Sequence, residues 1–453
     1  MKLGVVILAA GKGKRMCSRL PKVLHPLAGR PLLAHVLDCA HSIGAERVCV
    51  VYGHGGDVVP QALGGYDCRW VEQAEQHGTG HAVMQAMPEM RDMDRVLILY
   101  GDVPLTRAAT LQRLVEASAD AALGLLTVIV EDPTGYGRIV RDASGRVLRI
   151  VEQQDATEVE LEINEVNTGF IVADRARLDD WLSRIGNQNA NGEYYLTDVL
   201  AFAASAGVEI ATIRSETREE VCGVNDRVQL AALERYYQRR QAEDLMRGGV
   251  TLVDPERLDI RGRLRAARDV YIDVNVVIEG EVRIGEGASI GPNCLLRDCE
   301  IGADTQILAN CVIENSSIGS GARLGPFSRL RPEVVIADGA HVGNFVELKK
   351  SQVGLGSKVN HLTYVGDTQI GNGVNVGAGT ITCNYDGANK HRTVIGDGAF
   401  IGSNVSLVAP VEIGENATIG AGSVISRGAP AGKLTVTRAR QLTLDGWKRP
   451  RKK

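Results

Sequence analysis

The sequence predicts an α/β protein built from two different architectures, a doubly wound, largely parallel sheet followed by a parallel β-helix. Three observations carry this prediction. Short apolar runs alternate with helical spacings in the first half, an aliphatic residue recurs every six positions in the second, and residues 227–247 between them contain neither glycine nor proline. We therefore expect domains at 1–226 and 250–453, joined by a linker helix over 227–249.

The composition excludes several classes of protein. Of 453 residues, 44% are hydrophobic and 23% are charged, and a net charge of −4 argues against general nucleic-acid binding. No apolar run approaches the ~20 residues of a membrane helix, and Met1–Leu8 is typical of a strand, not of a secretory signal. A cytoplasmic location is therefore expected. The nine cysteines include no C-x-x-C pair, which disfavours a disulfide framework or a zinc site.

Strands and helices alternate in the first half. Leu3–Leu8, Val48–Val51 and Val96–Tyr100 are apolar runs of strand length, and residues 32–40 carry apolar side chains at helical spacing. Such a βαβ order predicts a doubly wound, Rossmann-like sheet.

A six-residue period fills the second half. Each unit is predicted to form a short strand and a corner, with an aliphatic side chain inside and a small residue at the turn. Three strands per coil, about 18 residues, give roughly eight coils between 272 and 430. The inward positions are predicted to be Ile278, Ile284, Ile290, Leu296, Ile301, Ile307, Ile313, Ile318, Leu324, Leu330, Ile336, Val342, Leu348, Val353, Val359, Val365, Ile370, Val376, Ile395, Ile401, Leu407, Ile413 and Ile419.

The period is interrupted between Thr382 and Ile395. The intervening segment is polar and contains Asn384, Tyr385 and Lys390. A loop expelled from a regular solenoid is a typical location for function.

The first strand is followed by a small-residue, basic loop, Leu8-Ala9-Ala10-Gly11-Lys12-Gly13-Lys14-Arg15-Met16. Met16 stands where a dinucleotide fingerprint has its third glycine, and the P-loop pattern is also absent. Backbone amides of such a loop can approach phosphates, while the lysines and the arginine add positive charge. Taken alone, the segment is equally compatible with a basic surface turn.

A second polar position follows another buried strand. Asp102 comes directly after Val96–Tyr100 and Gly101, and ligands of open α/β sheets bind beyond the carboxyl ends of strands. A carboxylate there, facing a phosphate loop, suits Mg²⁺. For a lone aspartate, a helix N-cap is the alternative.

Further motifs accompany these two in a fixed order. They are Gln73 with Gly78-Thr79-Gly80-His81, Gly135-Tyr136-Gly137-Arg138-Ile139, Ile150-Val151-Glu152, Asn164–Gly169, Glu193–Asp198 and Gly223-Val224-Asn225. The glycine-rich loop followed by Pro21-Lys22 resembles the opening of sugar-1-phosphate nucleotidylyltransferases, with Lys14 where threonine is more usual. Joined to the hexapeptide β-helix, the set resembles the family of bacterial bifunctional N-acetylglucosamine-1-phosphate uridylyltransferases and glucosamine-1-phosphate N-acetyltransferases over essentially the whole chain. The resemblance implies that the β-helix is left-handed.

The resemblance implies that the first domain transfers UMP from UTP to N-acetylglucosamine 1-phosphate with Mg²⁺ and releases pyrophosphate. Arg15 and Lys22 would stabilise the transferring phosphate as catalytic residues, and Asp102 and Asn225 would hold the metal. The residues implied to bind UTP or UDP-N-acetylglucosamine are Leu8, Ala9, Ala10, Gly11, Lys22, Gln73, Gly78, Thr79, Tyr100, Gly101, Asp102, Gly137, Glu152, Asn167 and Asn225.

A second polar group lies in the β-helix, with Arg331, Lys349 and His361 about one coil apart. Charged side chains belong on the faces of a β-helix, so we expect the three to converge along one edge. Arg331 and Lys349 suit a phosphate, and histidine is the side chain best suited to accept a proton near neutral pH, with Glu347 to orient it. A lone histidine is usually structural, but this clustering favours a catalytic base.

The resemblance assigns acetyl transfer from acetyl-CoA to glucosamine 1-phosphate to this second group, with His361 as the base. Arg331, Lys349, Tyr364 and Asn375 would bind glucosamine 1-phosphate, and Lys390 would contact sugar or cofactor. The residues implied to bind acetyl-CoA are Ala378, Asn384, Tyr385, Ser403, Ala421 and Arg438. The segment from Arg438 onward carries seven basic residues and one acid, Asp445, so a solvated basic tail is the alternative there.

The resemblance also implies a homotrimer, because the flat faces of the β-helix need burial against partners. Neither nucleic acid nor membrane insertion is expected, and the product would supply peptidoglycan and lipid A synthesis. Two alternatives are a nucleotidylyltransferase of another sugar with a regulatory β-helix, and a trimerisation module on an inactive transferase. The first does not explain His361 beside an expelled loop, and the second does not explain intact Arg15, Lys22, Asp102 and Asn225.

Overall fold

The computed structural model describes residues 1–53, 55–189 and 191–452. Its contacts divide the chain between Tyr237 and Gln238 into two units, each with its own hydrophobic core. The division falls within a helix, Arg227–Arg247, in the segment where the sequence predicts one. Within the described ranges, no helix is both long and apolar enough to cross a bilayer.

The first unit alternates strands and helices. Its strands are β1 (Leu3–Leu8), β2 (Pro26–Leu27), β3 (Arg30–Pro31), β4 (Arg47–Tyr52), β5 (Arg69–Glu72), β6 (Arg95–Tyr100), β7 (Leu123–Ile129), β8 (Arg138–Arg141), β9 (Val147–Val151), β10 (Glu165–Asp174) and β11 (Ile210–Arg214). Its helices are α1 (Leu32–Ser42), α2 (Val58–Ala62), α3 (Thr79–Ala86), α4 (Ala108–Ala117), α5 (Glu158–Leu161), α6 (Arg175–Arg184) and α7 (Asp198–Ser205), and α8 (Arg227–Arg247) begins in this unit.

The strands form one sheet in the order β11-β7-β10-β6-β1-β4-β5, with β8 and β9 attached beside β10. Strand β1 is buried along its whole length, and its side chains alternate between two cores: Val5 and Ile7 join one cluster, Val6 and Leu8 the other. Both faces of the sheet are therefore covered, which confirms the predicted doubly wound arrangement.

The sheet is not wholly parallel. Strand β1 runs parallel to β4 and β6, whereas β10 runs antiparallel to both β6 and β7. Strand β10 follows the β8–β9 hairpin and the single-turn helix α5, and returns antiparallel beside β7. An antiparallel neighbour does not need the long crossover that a parallel one requires. The carboxyl ends of β1, β5 and β6 lead directly into Ala9, Gln73 and Gly101.

The second unit is a solenoid of short strands. They are β12 (Thr251–Leu252), β13 (Leu258–Ala266), β14 (Tyr271–Ile272), β15 (Val276–Ile284), β16 (Ser289–Ile290), β17 (Leu295–Ile301), β18 (Gln306–Ile307), β19 (Val312–Glu314), β20 (Ser316–Ile318), β21 (Arg323–Leu324), β22 (Arg329–Leu330), β23 (Val334–Ile336), β24 (His341–Asn344), β25 (Glu347–Lys349), β26 (Gln352–Val353), β27 (Lys358–His361), β28 (Tyr364–Gly366), β29 (Thr368–Ile370), β30 (Asn375–Val376), β31 (Ile381–Cys383), β32 (Thr393–Ile395), β33 (Phe400–Ile401), β34 (Ser406–Val408), β35 (Val411–Ile413), β36 (Thr418–Ile419), β37 (Val424–Ile425) and β38 (Leu434–Thr435).

Three parallel stacks form the faces of the β-helix. One runs from β12 and β14 to β36 and β38, and the other two diverge from β17, one through β20 to β35 and one through β19 to β37. All the aliphatic residues that mark the six-residue units are buried, so the predicted inward row is confirmed. The small residues matter where coils touch: a Cβ on Gly285 would lie 2.6 Å from the Ala303 backbone nitrogen.

Opposite charges alternate along one face. Arg261, Glu279, Arg297 and Glu314 occupy one register position on successive coils. Arg261 pairs with Glu279 at 3.3 Å, and Arg297 pairs with both Glu279 and Glu314, the latter at 2.9 Å. We call these four residues the charge ladder.

The β-helix is longer than the sequence predicts. It begins at β12 and β13, some twenty residues before the first hexapeptide, and continues to β38. Strand β13 carries arginines where the pattern has small residues, yet it pairs with β15 along its whole length, from Leu258 opposite Val276 to Ala266 opposite Ile284. Pairing with a regular neighbour thus extends the solenoid beyond its periodic sequence.

Candidate active sites

The predicted nucleotide loop lines a cavity of about 490 Å³ in the first unit. Backbone hydrogen bonds hold its start: Ala9 donates to the Val51 carbonyl at 2.8 Å, and Gly101 donates to the Leu8 carbonyl at 2.9 Å. Lys12 and Lys14 also line the cavity and make it cationic. The predicted residues that it brings together are Leu8, Ala9, Ala10, Gly11, Lys22, Gln73, Gly78, Thr79, Tyr100 and Asp102.

Gln73 is held rigidly in the wall of this cavity. Its side chain is buried, and its amide nitrogen bonds the Gly78 carbonyl at 3.2 Å and His81 Nδ1 at 2.9 Å. Burial lowers the pKa of His81, which favours a neutral ring that accepts from the amide. His81, to which the sequence motif attached no role, therefore orients the amide expected to read a base.

The Gly78–Thr79 segment is fixed by the chain around residue 194. Gly78 has a φ of 107°, and a Cβ there would lie 2.7 Å from the Tyr194 carbonyl oxygen. Gly80 donates to that same carbonyl at 2.8 Å, and Leu196 donates to Thr79 Oγ1 at 3.1 Å. Only glycine permits this close approach at the start of α3.

The two expected metal ligands, Asp102 and Asn225, both face the ammonium group of Lys22. The Lys22 ammonium bonds Asp102 Oδ2 and also lies 3.5 Å from Asn225 Oδ1. Val224 donates to the Asp102 carbonyl at 2.9 Å, which brings the chain before α8 beside the end of β6. A carboxylate and an amide oxygen that face one positive charge are hard donors of the kind Mg²⁺ prefers, so these residues fit the metal.

A second cavity, of about 670 Å³, adjoins the first, and Tyr100 and Asp102 line both. Asn167 donates through its backbone to the Gly137 carbonyl at 2.8 Å, and Thr197 donates to Glu152 at 3.4 Å. Burial raises the pKa of Glu152, and the Thr197 bond opposes that shift. The sequence-predicted residues in this cavity are Arg15, Tyr100, Asp102, Gly137, Glu152, Asn167 and Asn225. The cavity also contains Tyr136, which belongs to a motif but was assigned no role, and Arg218 and Cys222, which lie outside the motifs.

Three cations gather on the β-helix. The close contact with the Lys390 ammonium and its repulsion lower the pKa of Lys349, and desolvation and repulsion by Arg331 add to this. Arg331 is held in place by an ion pair with Glu347 at 3.0 Å. Such a cluster of like charges suits a phosphate, which relieves their repulsion.

Tyr364 and Asn384 lie over the same glycine. A Cβ on Gly366 would come within 2.6 Å of both the Tyr364 hydroxyl oxygen and Asn384 Nδ2. Asn384 also donates to Asp367. Asn375 lies on another face, in β30 between β27 and β33, and among the described residues no hydrogen bond or ion pair joins it to Tyr364 or Lys349.

His361 is exposed at the end of β27, and its partner differs from the expected one. Its Nδ1 lies 3.1 Å from Asn344 Oδ1. Glu347, expected to orient the ring, is instead bound to Arg331 and lies opposite Tyr364 in the neighbouring sheet. The register explains the difference, because Asn344 and not Glu347 lies opposite His361 on the preceding coil.

One row of residues connects His361 with the expected acetyl-CoA groove. The pairs Val359–Val376, Val376–Ile401 and Ile401–Ile419 place the residues two positions later in line, namely His361, Ala378, Ser403 and Ala421. A Cβ on Gly402 would lie 2.5 Å from the Ala421 backbone nitrogen, so small residues keep this row flat. Arg438 lies beside its far end, with Nη2 3.6 Å from a Cβ built on Gly420.

The expelled loop folds on itself. Tyr385 and Lys390 form an antiparallel bridge, and Asp386 Oδ1 accepts from the backbone of Ala388 and Asn389 at 2.8 and 2.7 Å. His391 Nε2 lies 2.7 Å from the other Asp386 oxygen. The bonds from Asn389 and His391 hold the pKa of Asp386 well below its usual range. The loop thereby presents Lys390 beside Lys349.

Two family models match separate parts of the chain. Residues 5–158 match the family model of the MobA-like NTP transferase domain, and residues 392–427 match that of the bacterial transferase hexapeptide (six repeats).

The chain is also similar along its whole length to curated proteins named bifunctional protein GlmU. It is 57% identical to that of Idiomarina loihiensis over 453 residues, which cover 100% of this chain and 99% of the relative. It is 56% identical to those of Ralstonia nicotianae and Methylococcus capsulatus, over 99% and 100% of this chain and 98% of each relative. The chain therefore belongs to the GlmU family of bifunctional enzymes, in which a nucleotidyltransferase domain precedes a hexapeptide acetyltransferase domain.

Proposed function

We propose that the two activities of this enzyme are located at the two sites described above. The first unit transfers UMP from UTP to N-acetylglucosamine 1-phosphate, and the second transfers acetyl from acetyl-CoA to glucosamine 1-phosphate. The observation that carries the first assignment is the convergence of Lys22, Asp102 and Asn225 beside two adjoining cavities. The row from His361 to Ala421, together with the cluster of Arg331, Lys349 and Lys390, carries the second.

Uridylyl transfer needs positioning and charge neutralisation more than proton transfer. The nucleophile is the phosphate oxygen of N-acetylglucosamine 1-phosphate, which is already anionic. It forms a bond to the α-phosphorus of UTP while the bond from that phosphorus to the pyrophosphate oxygen breaks. Arg15 and Lys22 offset the negative charge of the two reactants, and the buried Gln73 amide reads the base.

Asp102 and Asn225 would hold Mg²⁺, with Lys22 released toward phosphate. When bound, the ion supplies Lewis-acid stabilisation of phosphate charge. Gly137, Glu152 and Asn167 bind the sugar in the second cavity, where the Glu152 carboxylate accepts from hydroxyl groups.

Acetyl transfer requires a neutral amine. The amine nitrogen of glucosamine 1-phosphate forms a bond to the acetyl carbonyl carbon, the bond from that carbon to sulfur breaks, and coenzyme A leaves as the thiolate. His361 Nε2 takes the proton that the amine gives up. Arg331, Lys349 and Lys390 hold the phosphate, Tyr364 and Asn375 contact the sugar, and the row to Arg438 binds acetyl-CoA together with Asn384 and Tyr385.

We further propose that the enzyme works as a homotrimer in the cytoplasm. Phe327 and Phe345 stack at 5.3 Å on adjacent coils and are 50% and 55% exposed, and Leu362 on the next coil is 63% exposed. An apolar strip of this kind on a β-helix is typical of a surface that a partner covers.

Two assays on the purified chain test the function. One assay measures the free thiol released from acetyl-CoA with glucosamine 1-phosphate as acceptor. The other measures the pyrophosphate released from UTP with N-acetylglucosamine 1-phosphate as acceptor. In the control for each, glucose 1-phosphate replaces the amino sugar. We expect both products with the amino sugars and neither with glucose 1-phosphate. Pyrophosphate without thiol release would favour a β-helix that only regulates or assembles the enzyme.

A further inference from the structure

Asn344 lies opposite His361 on the preceding coil, with its side-chain oxygen 3.1 Å from the Nδ1 atom of the ring. We propose that Asn344 is the positioning residue of the acetyltransferase base. Its amide oxygen accepts the Nδ1 proton, so that the Nε2 lone pair is left free to take the proton from the amine. The inference rests on the proposed function of His361 and adds the group that prepares it.

The backbone fixes the distance between the two side chains. Leu362 donates to the Asn344 carbonyl at 3.1 Å, while the His361 carbonyl accepts from Gly379 at 3.3 Å and from Thr363 Oγ1 at 2.6 Å. Phe345 and Leu362, which follow the two residues, both have left-handed φ values, 58° and 48°. Asn344 and His361 therefore occupy equivalent positions just before the corners of successive coils, which aligns their side chains.

The exposure of His361 gives Asn344 its importance. A neutral imidazole in water prefers to carry its proton on Nε2, the nitrogen that would have to act as the base. An acceptor at Nδ1 favours the other tautomer, because the hydrogen bond forms only when Nδ1 carries the proton. The amide achieves this without adding a negative charge beside a substrate phosphate.

No other side chain described around the ring takes this role. Glu347 is bound to Arg331 and lies in the neighbouring sheet. Thr363 donates to the backbone of His361, not to its ring. The row beyond His361 continues with Ala378, which has no polar side chain.

Variants at Asn344 test whether this residue positions the His361 ring or only supports the fold. For Asn344→Ala, we expect the kcat of acetyl transfer to fall about ten-fold, as for the loss of one hydrogen bond, with both KM values unchanged. Asn344→Asp keeps an acceptor oxygen and is expected to stay within about three-fold of the parent. His341→Ala, on the same strand, is the control for local disturbance, and uridylyl transfer should be unchanged in all three variants.

The tautomer itself is measured by ¹⁵N-histidine NMR, with His361→Gln used to assign the resonances. The parent and Asn344→Asp are expected to show the proton of neutral His361 on Nδ1, and Asn344→Ala to show it mainly on Nε2. Parental kcat and tautomer in Asn344→Ala, or an Nε2 proton in the parent, would overturn the inference. Retained acetyl transfer in His361→Gln would instead overturn the proposed base, so the two failures are distinguishable.

Discussion

In the proposed uridylyltransferase site, Asp102 bonds Lys22 and lines both adjoining cavities, so we expect the reaction to depend directly on it. We expect Asp102→Ala to abolish formation of UDP-N-acetylglucosamine, since the proposed ligand for Mg²⁺ and the partner of Lys22 are both lost. Acetyl transfer should remain nearly parental, because the second site is built from other residues. Pyrophosphate and thiol release measure the two reactions, and Asp120→Ala, at an exposed aspartate of the same unit, is the matched control. A parallel collapse of both activities in a folded variant would contradict the two-site assignment.

His361→Ala should have the opposite effect. A positioned general base contributes roughly 10²–10⁴-fold, and we expect acetyl transfer to fall by that factor. Uridylyl transfer from supplied N-acetylglucosamine 1-phosphate should not change, because its nucleophile needs no deprotonation. Steady-state rates of both reactions on one preparation check this, and undiminished acetyl transfer would return His361 to a structural role.

Glu152 should make sugar binding sensitive to acid. Burial raises the pKa of this carboxyl, so it takes up a proton at a higher pH than an exposed glutamate does. The protonated form is a poorer acceptor for sugar hydroxyls, and the KM for N-acetylglucosamine 1-phosphate should therefore rise as the pH falls through that raised pKa. Glu152→Gln should have a higher KM at neutral pH and lack this added rise. The ratio of the two KM values cancels the titration of the substrate phosphate, and a ratio independent of pH would refute the prediction.

For individual residues, the sequence motifs predicted many of those that line the two cavities of the first unit, but not how these residues contact one another. Asp102 was identifiable because it follows the predicted strand Val96–Tyr100 after one glycine, and Gln73 because of the motif that it forms with Gly78–His81. Asn344 was not, because its contact with His361 depends on the coil register and on two left-handed corners. Glu347 was the wrong partner for the same reason.

Among the structural elements, the expelled loop owes its shape to one side chain. Asp386 accepts from the backbone of Ala388 and Asn389 and pairs with His391. Asp386→Ala should loosen the loop and raise the KM values of acetyl transfer several-fold, because Lys390, Asn384 and Tyr385 lose their fixed positions. Asp386→Asn retains an acceptor for the two backbone groups and should change KM less. Uridylyl transfer is the internal reference, and unchanged acetyl-transfer KM values in the alanine variant would show that the loop is held by other means.

The elements also differ in how readily the sequence predicts them. The hexapeptide strands are readily predicted, because each inward position must be filled by a buried aliphatic residue and these residues recur every six positions. Strand β13 lacks the pattern and was missed, since its place depends on pairing with β15. The antiparallel direction of β10 depends on a return beside β7, which no local pattern in that strand records.

For the whole molecule, we expect the acetyltransferase site to be complete only when the chain forms a trimer. The exposed strip of Phe327, Phe345 and Leu362 ends beside His361, and Asn375 lies on a different face from Tyr364 within one chain. We expect sedimentation to give three times the chain mass of 48.6 kDa. Phe345→Glu should weaken the trimer and acetyl transfer together while sparing uridylyl transfer. A fully active monomer at micromolar concentration would exclude the trimer.

The charge ladder bears on how such a solenoid can change its length. Its sign reverses from each coil to the next, from Arg261 to Glu279, Arg297 and Glu314. Loss of a single coil by slippage or genetic deletion would set arginine against arginine or glutamate against glutamate, at a cost of a few tenths to about 1 kcal/mol for each contact. Loss or duplication of two coils restores the alternation. Along this face, the charge ladder therefore favours the gain or loss of coils in even numbers over odd ones.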